Sequence, residues 1–202
     1  MLICDKFHCL APIIFLCVPI RAIIHSKKKR RKGMIYIASD DSGYEAKLTV
    51  IEYLKEHKMD FIDCGSGDEP SRYPYFAARA AAAVSCGAAE RAILICGSGV
   101  GMSIAANKFK GVRAALVSEP YSARLTRRHN DSNILCLGGR LIGRWMLLEI
   151  VDTWLNTEYD GGHHNGSLEL IRLIEEENMT GSQWLPEDLP YEPFEWNPEQ
   201  KL

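Results

Sequence analysis

The sequence predicts a parallel, doubly wound α/β sheet. Three observations lead there. Short apolar runs alternate with longer segments whose apolar residues recur at helical spacing. The runs are apolar at consecutive positions, as in strands covered on both faces. Most of them end in a turn rich in Gly, Ser or Asp.

The elements follow in chain order. Met34–Ala38 (MIYIA) reads as a strand that closes in the polar turn Ser39–Gly43. Tyr44–His57, with apolar residues at 48, 51 and 54, reads as an amphipathic helix. Asp60–Asp63 is a second strand, followed by the Gly-, Ser- and Pro-containing loop Cys64–Tyr73. Pro74–Gly87 is an alanine-rich helix, Ala92–Ile95 a fully apolar strand, and Ser103–Lys108 the start of another helix. Strand Ala114–Val117, helix Tyr121–His129 and strand Ile134–Leu137 come next. Helices Ile142–Asn156 and Ser167–Asn178 complete the pattern. In such sheets ligands sit beyond the carboxyl ends of the strands. The turns at 39–43, 64–73, 96–101 and 118–119 all lie there.

The composition narrows the function class. The chain has 202 residues, 47% hydrophobic and 25% charged, which fits one folded domain of ordinary size. Its seven cysteines (4, 9, 17, 64, 86, 96 and 136) are scattered, odd in number and without a CxxC pair. That spacing points away from a disulfide framework or a zinc site and toward reduced thiols in a cytoplasmic protein. The net charge of −2 hides an asymmetry. Residues 1–33 hold eight Lys and Arg and one acid. The remainder holds sixteen bases against twenty-five acids, a net of −9. An acidic body is a poor partner for nucleic acid.

Residues 1–33 stand apart as a leader, expected to be disordered or an extension ahead of a working start at Met34. Its apolar part, Leu10–Ile24, is interrupted by two prolines and Arg21, too short and broken for a stable membrane span. The cluster KKKRRK follows the apolar part, the reverse of a secretory signal. Residues 34–179 form the expected domain. Residues 180–202 carry four of the nine prolines and two tryptophans, and read as an irregular tail.

The stretch CGSGVGMS (Cys96–Ser103) is the candidate for the chemistry. Its glycines do not match the dinucleotide spacing GxGxxG. A cysteine-phosphatase loop needs arginine six residues after the cysteine, where this chain has Met102. Two readings stay open. In one, successive loop amides stabilise an anion and favour the thiolate of Cys96. In the other, Cys96 merely ends a buried strand.

CGSGVGMSIAANKFKGVRAAL, followed by SEPYSARLTRRHNDSNILCLGGRLIG, resembles the ribose-5-phosphate isomerase B and galactose-6-phosphate isomerase family. The likeness also takes in the SDDSG turn, RYPYFA (Arg72–Ala77) and WLNTEYDGGHH (Trp154–His164). It implies a Rossmann-like α/β/α sandwich with a central parallel sheet of five strands. It implies a homodimer or tetramer with active sites between subunits, and aldose–ketose isomerisation of a sugar phosphate without metal or cofactor. By that likeness Cys96 is the base, Ser98 relays a proton between the sugar oxygens, and His129 opens the ring. Gly97, Gly99, Val100, Gly101 and Ser103 supply amides to the enediolate, which Asn130 also steadies. Asp40 serves the ring oxygens, Tyr73 contacts the sugar, and Arg140 binds phosphate.

Three positions depart from the family pattern. Asp41 stands where the family usually has histidine. His163 and Ser167 stand where it usually has arginines that grip phosphate; His164 is kept. Arg72 is an unexpected gain of positive charge. With bidentate arginine hard to substitute, either Arg72 restores part of the grip or the substrate is another sugar phosphate. Asp41, His163 and His164 remain candidate substrate contacts. A non-catalytic sugar-phosphate-binding protein is the alternative from a different class.

Overall fold

The computed structural model describes residues 33–65 and 71–179. Five strands form one parallel sheet: β1 (Ile35–Ser39), β2 (Phe61–Asp63), β3 (Arg91–Cys96), β4 (Ala114–Leu116) and β5 (Ile134–Gly138). Six α-helices accompany them: α1 (Tyr44–Glu56), α2 (Tyr73–Ser85), α3 (Val100–Ala106), α4 (Pro120–Asn130), α5 (Arg144–Asn156) and α6 (His164–Asn178). The strand order is β2-β1-β3-β5-β4. This is the expected α/β architecture.

Side-chain parity explains the layers. Alternate residues of a strand point to opposite faces. Ile35, Ile37, Ile93, Ile95, Leu135 and Leu137 pack with Val50 and Leu54 of α1, Ala123 of α4, and Leu147, Ile150 and Trp154 of α5. Tyr36, Ala38, Ala92, Leu94, Cys96, Ile134 and Cys136 pack with the alanines of α2 and with Met102 and Ala106 of α3. Ala77, Ala80 and Ala81 are fully buried. Their small side chains let α2 lie close to the sheet. Cys96 belongs to this second face.

Two buried charges serve as fasteners. Lys47 of α1 is almost fully buried and meets the Asp63 carboxylate at 2.9 Å and the Gly65 carbonyl at 3.2 Å. A buried ammonium without such partners would be strongly destabilising. Arg127 of α4 donates to Asp131 Oδ1 at 2.7 Å and to the Ser132 carbonyl at 2.6 Å. Trp154 Nε1 donates to Ser132 Oγ at 2.8 Å. Together these hold the turn between α4 and β5.

Some boundaries differ from the sequence reading. α3 begins at Val100, not Ser103, because the turn at Gly99 starts it; Val and Gly are weak helix formers and gave no local signal. α5 starts at Arg144 and α6 already at His164. β2 and β4 are three-residue edge strands and partly exposed, so they are not covered on both faces as the central strands are. The leader up to residue 32, the tail 180–202 and part of the 64–73 loop lie outside the described residues. Among the described residues no helix is long and apolar enough to cross a membrane.

Candidate active site

β1 and β3 are neighbours whose connections leave in opposite directions, β1 toward β2 and β3 toward β4 and β5. A crevice opens above their carboxyl ends at such a reversal. Asp40 directly follows β1 there, and Cys96 ends β3.

Asp40 is buried and caps the short 3-10 turn Asp41–Gly43. Its Oδ1 accepts from Ser42 Oγ at 2.7 Å and from the Gly43 N–H at 3.0 Å. Burial pushes its carboxyl above the usual range, and Asp41 adds to this. The Ser42 and Gly43 hydrogen bonds and the Arg140 charge offset only part of it. Asp41 is clasped reciprocally to Ser71: its N–H donates to Ser71 Oγ, and its Oδ1 accepts from the Ser71 N–H, both at 3.2 Å. The clasp ties the first turn to the segment that carries Arg72 and Tyr73 into α2.

Cys96 is buried, and its Sγ accepts the Gly99 N–H at 3.1 Å. Gly99 has φ +78° and packs on Leu116 and the Leu137 backbone, so the turn requires glycine. The Cys96 carbonyl accepts from Gly139 N at 2.8 Å and that of Gly97 from Arg140 N at 3.1 Å. These bonds bring the end of β5 against the loop and set the Arg140 and Ser42 side chains beside Gly97. Ser98 is exposed, with its Oγ 3.4 Å from the Val100 N–H. The Tyr73 ring lies on Gly101. Ser103 points elsewhere: its N–H bonds the Gly99 carbonyl at 3.1 Å and its hydroxyl the Val100 carbonyl at 2.8 Å, both within the first turns of α3. Cys136 lies one strand over, fully buried. Burial first, and then the Cys96 thiol, push it well up, so it stays a neutral core thiol.

The remaining candidates form a second constellation. α4 starts beyond the carboxyl end of β4 and runs back for eleven residues, about 16 Å at helical rise. His129 and Asn130 therefore sit at the amino end of β5, across the sheet from Cys96. The His129 and His164 rings stack at 4.3 Å, and the His163 ring lies 3.9 Å from His164. Asp160 stands beside them, its carboxylate paired with Arg128 at 2.9 Å. The Asn130 carbonyl accepts from Arg113 Nε at 2.9 Å. The Arg128 hydrogen bond pulls the Asp160 carboxyl below its usual range. Desolvation, then the His163 and His129 imidazoles, pushes His164 below the usual histidine range.

One chain thus unites Asp40, Asp41, Tyr73, the 96–101 loop and Arg140 at one end. It unites His129, Asn130, His163 and His164 at the other. Sequence reasoning missed Ser42, Ser71 and Asp160. Ser42, two residues after Asp40, carried a local turn signal. The others meet their partners 30 and 32 residues away in the chain and carried none.

Residues 35–171 match the family model described as Ribose/Galactose Isomerase. Ribose-5-phosphate isomerase B of Escherichia coli (strain K12) is 45% identical over 143 residues, 70% of this chain and 96% of that protein. The solved ribose-5-phosphate isomerase B of Clostridium thermocellum aligns with TM-score 0.70 and 46% identity, over 71% of this chain and 98% of that one. The Mycoplasma genitalium ribose-5-phosphate isomerase B, solved with bound ribulose-5-phosphate, aligns with TM-score 0.69 and 38% identity, over 72% and 97%. With both the fold and this span of sequence in common, the chain belongs to the ribose/galactose isomerase family of sugar-phosphate isomerases.

Proposed function

We propose that the chain interconverts ribose 5-phosphate and ribulose 5-phosphate through a cis-enediolate, with Cys96 as the base. The thiolate removes the C2 proton of the open-chain aldose, which lies next to the C1 carbonyl. The electron pair moves to the C1 oxygen, Ser98 relays a proton between the two oxygens, and Cys96 returns its proton to C1. No step needs an electron acceptor. The amides of Gly97, Val100 and Gly101 stabilise the developing oxyanion, each such donor contributing roughly 3 kcal/mol, while the Gly99 N–H serves the Cys96 sulfur. Asp40 and Tyr73 hold the sugar, and Arg140 meets the phosphate.

The observation that carries this reading is the setting of Cys96. Its sulfur lies at the sheet reversal, 3.1 Å from the Gly99 amide, and the Ser42 and Arg140 side chains stand beside the next residue, Gly97. His129, which opens the ring, lies across the sheet from it. We infer that His129, Asn130, His163 and His164 reach the crevice from a second copy of the chain, which makes the active unit a dimer.

One set of residues favours another sugar phosphate as substrate. Asp41 is occupied by Ser71. His163 and Ser167 replace two phosphate-gripping arginines of the family pattern. A panel of aldose and ketose phosphates separates the readings. Ribose 5-phosphate as best substrate, with C2 proton exchange reduced about 10²–10⁴-fold in Cys96→Ser, supports the first. Exchange undiminished in Cys96→Ser removes Cys96 as the base. Binding of sugar phosphates without turnover would mark a non-catalytic protein.

A further inference from the structure

We propose that His129, His164 and Asp160, with His163 alongside, bind a divalent transition-metal ion of the zinc class, and that the ion blocks the isomerase reaction. The second half rests on the proposed role of His129; the first half does not.

The donor atoms of His129, Asp160 and His164 lie within 4.8 Å of one another. A tetrahedral site with bonds of about 2.0–2.1 Å needs donors about 3.4 Å apart. Rotating side chains that are only partly buried closes that gap without moving the backbone. Two imidazoles and a carboxylate are an ordinary three-ligand set for zinc, and the fourth position stays open to water. The His163 ring, 3.9 Å from His164, offers another nitrogen.

The carboxylate is held in advance. Arg128 Nε lies 3.1 and 2.9 Å from Asp160 Oδ1 and Oδ2, and the Asp160 N–H donates to the Arg128 carbonyl at 3.0 Å. An ionised carboxylate has about four lone-pair sites, so it can accept these bonds and still ligate an ion. Such outer contacts orient ligands in metal sites generally. Arg128 also cancels the carboxylate charge. The site therefore does not attract magnesium or calcium, which bind through charge and oxygen donors. Ions that bond strongly to imidazole remain. The carboxyl end of α4 favours a cation and the amino end of α6 disfavours it, so the helix dipoles nearly cancel.

The site is a consequence of this chain's departure from the family pattern at position 163. Arginine at 163 would place a fixed cation at the cluster. His163 removes it and adds a donor. An ion held by His129 and His164 takes the imidazoles that the reaction needs.

Zinc titrated into the reduced, substrate-free full chain by calorimetry tests the binding. One ion per chain is expected. Asp160→Ala and His163→Arg should each weaken it at least tenfold, and His164→Ala should abolish it. Arginine at 163 is the family residue, so that variant folds even where an alanine variant does not. Equal zinc affinity in all four proteins would place the ion on the thiols and overturn the site. So would the absence of binding. Zinc should inhibit turnover with a midpoint that matches its calorimetric Kd. Full occupancy without inhibition would overturn the blocking role. If no sugar phosphate is turned over, the proposed reaction fails and the calorimetric result still decides the metal site.

Discussion

The Tyr73 ring lies against the bare Cα of Gly101, where an added Cβ would fall 2.7 Å from the ring carbon Cζ. Tyr73 is half-exposed and at the tip of α2, so the ring and not the loop gives way. Gly101→Ala should therefore leave the melting temperature nearly unchanged and lower kcat/KM roughly tenfold, the equivalent of about 1.4 kcal/mol. Most of the loss should disappear when Gly101→Ala is made in a Tyr73→Ala background. A steady-state double-mutant cycle measures the coupling. Full additivity would mean that the loop, and not Tyr73, is what the methyl disturbs.

Gly99 tells the opposite story. Its φ of +78° is unfavourable for any residue with a Cβ, and that Cβ would lie 2.8 Å from the Leu137 backbone. Backbone of a central strand cannot move aside. Gly99→Ala should cost at least about 2 kcal/mol of stability. The denaturant midpoint should fall with an unchanged slope.

The division of candidates between the two ends of the sheet makes a prediction about mixtures. Cys96→Ser and His129→Asn should each be nearly inactive alone. Mixed and allowed to exchange subunits, they should regain activity, because each mixed dimer contains one site with both native residues. The recovered rate should approach about a quarter of the wild-type rate, from random pairing. Recovery that never exceeds the sum of the two variants would place the complete site within one chain.

Asp40 supplies a pH test. Burial raises its carboxyl pKa in the fold, so the folded state binds that proton more tightly than the unfolded chain does. The charged form thus detracts from stability at neutral pH, and the deficit fades as pH falls through the folded-state value. Asp40→Asn keeps an oxygen for Ser42 and Gly43. It should be at least as stable as the wild type at pH 7, with the difference vanishing in acid, while turnover is lost. Chemical denaturation across pH measures it. A variant clearly less stable at pH 7 would show that the charge itself holds the turn.

The sequence by itself determined the element pattern and singled out the cysteine-glycine loop. Strand and helix periods are local, and the runs ending at Ser39, Cys96 and Gly138 are apolar enough to be read without a partner. The glycines after Cys96 marked the loop, and the family resemblance singled out His129, Asn130, His163 and His164. Only the tertiary structure decided what meets what. Pairing of β5 beside β3, with Cys96 opposite Gly138, carries Arg140 to the Gly97 loop over more than 40 residues of chain. The return of α4 carries His129 to the far end of the sheet. The Asp41–Ser71 clasp and the Arg128–Asp160 pair likewise join segments about 30 residues apart. Such contacts follow from strand order and from the direction in which each helix runs back. Neither leaves a trace in local periodicity, because burial fixes which face a residue takes but not which strand lies beside it.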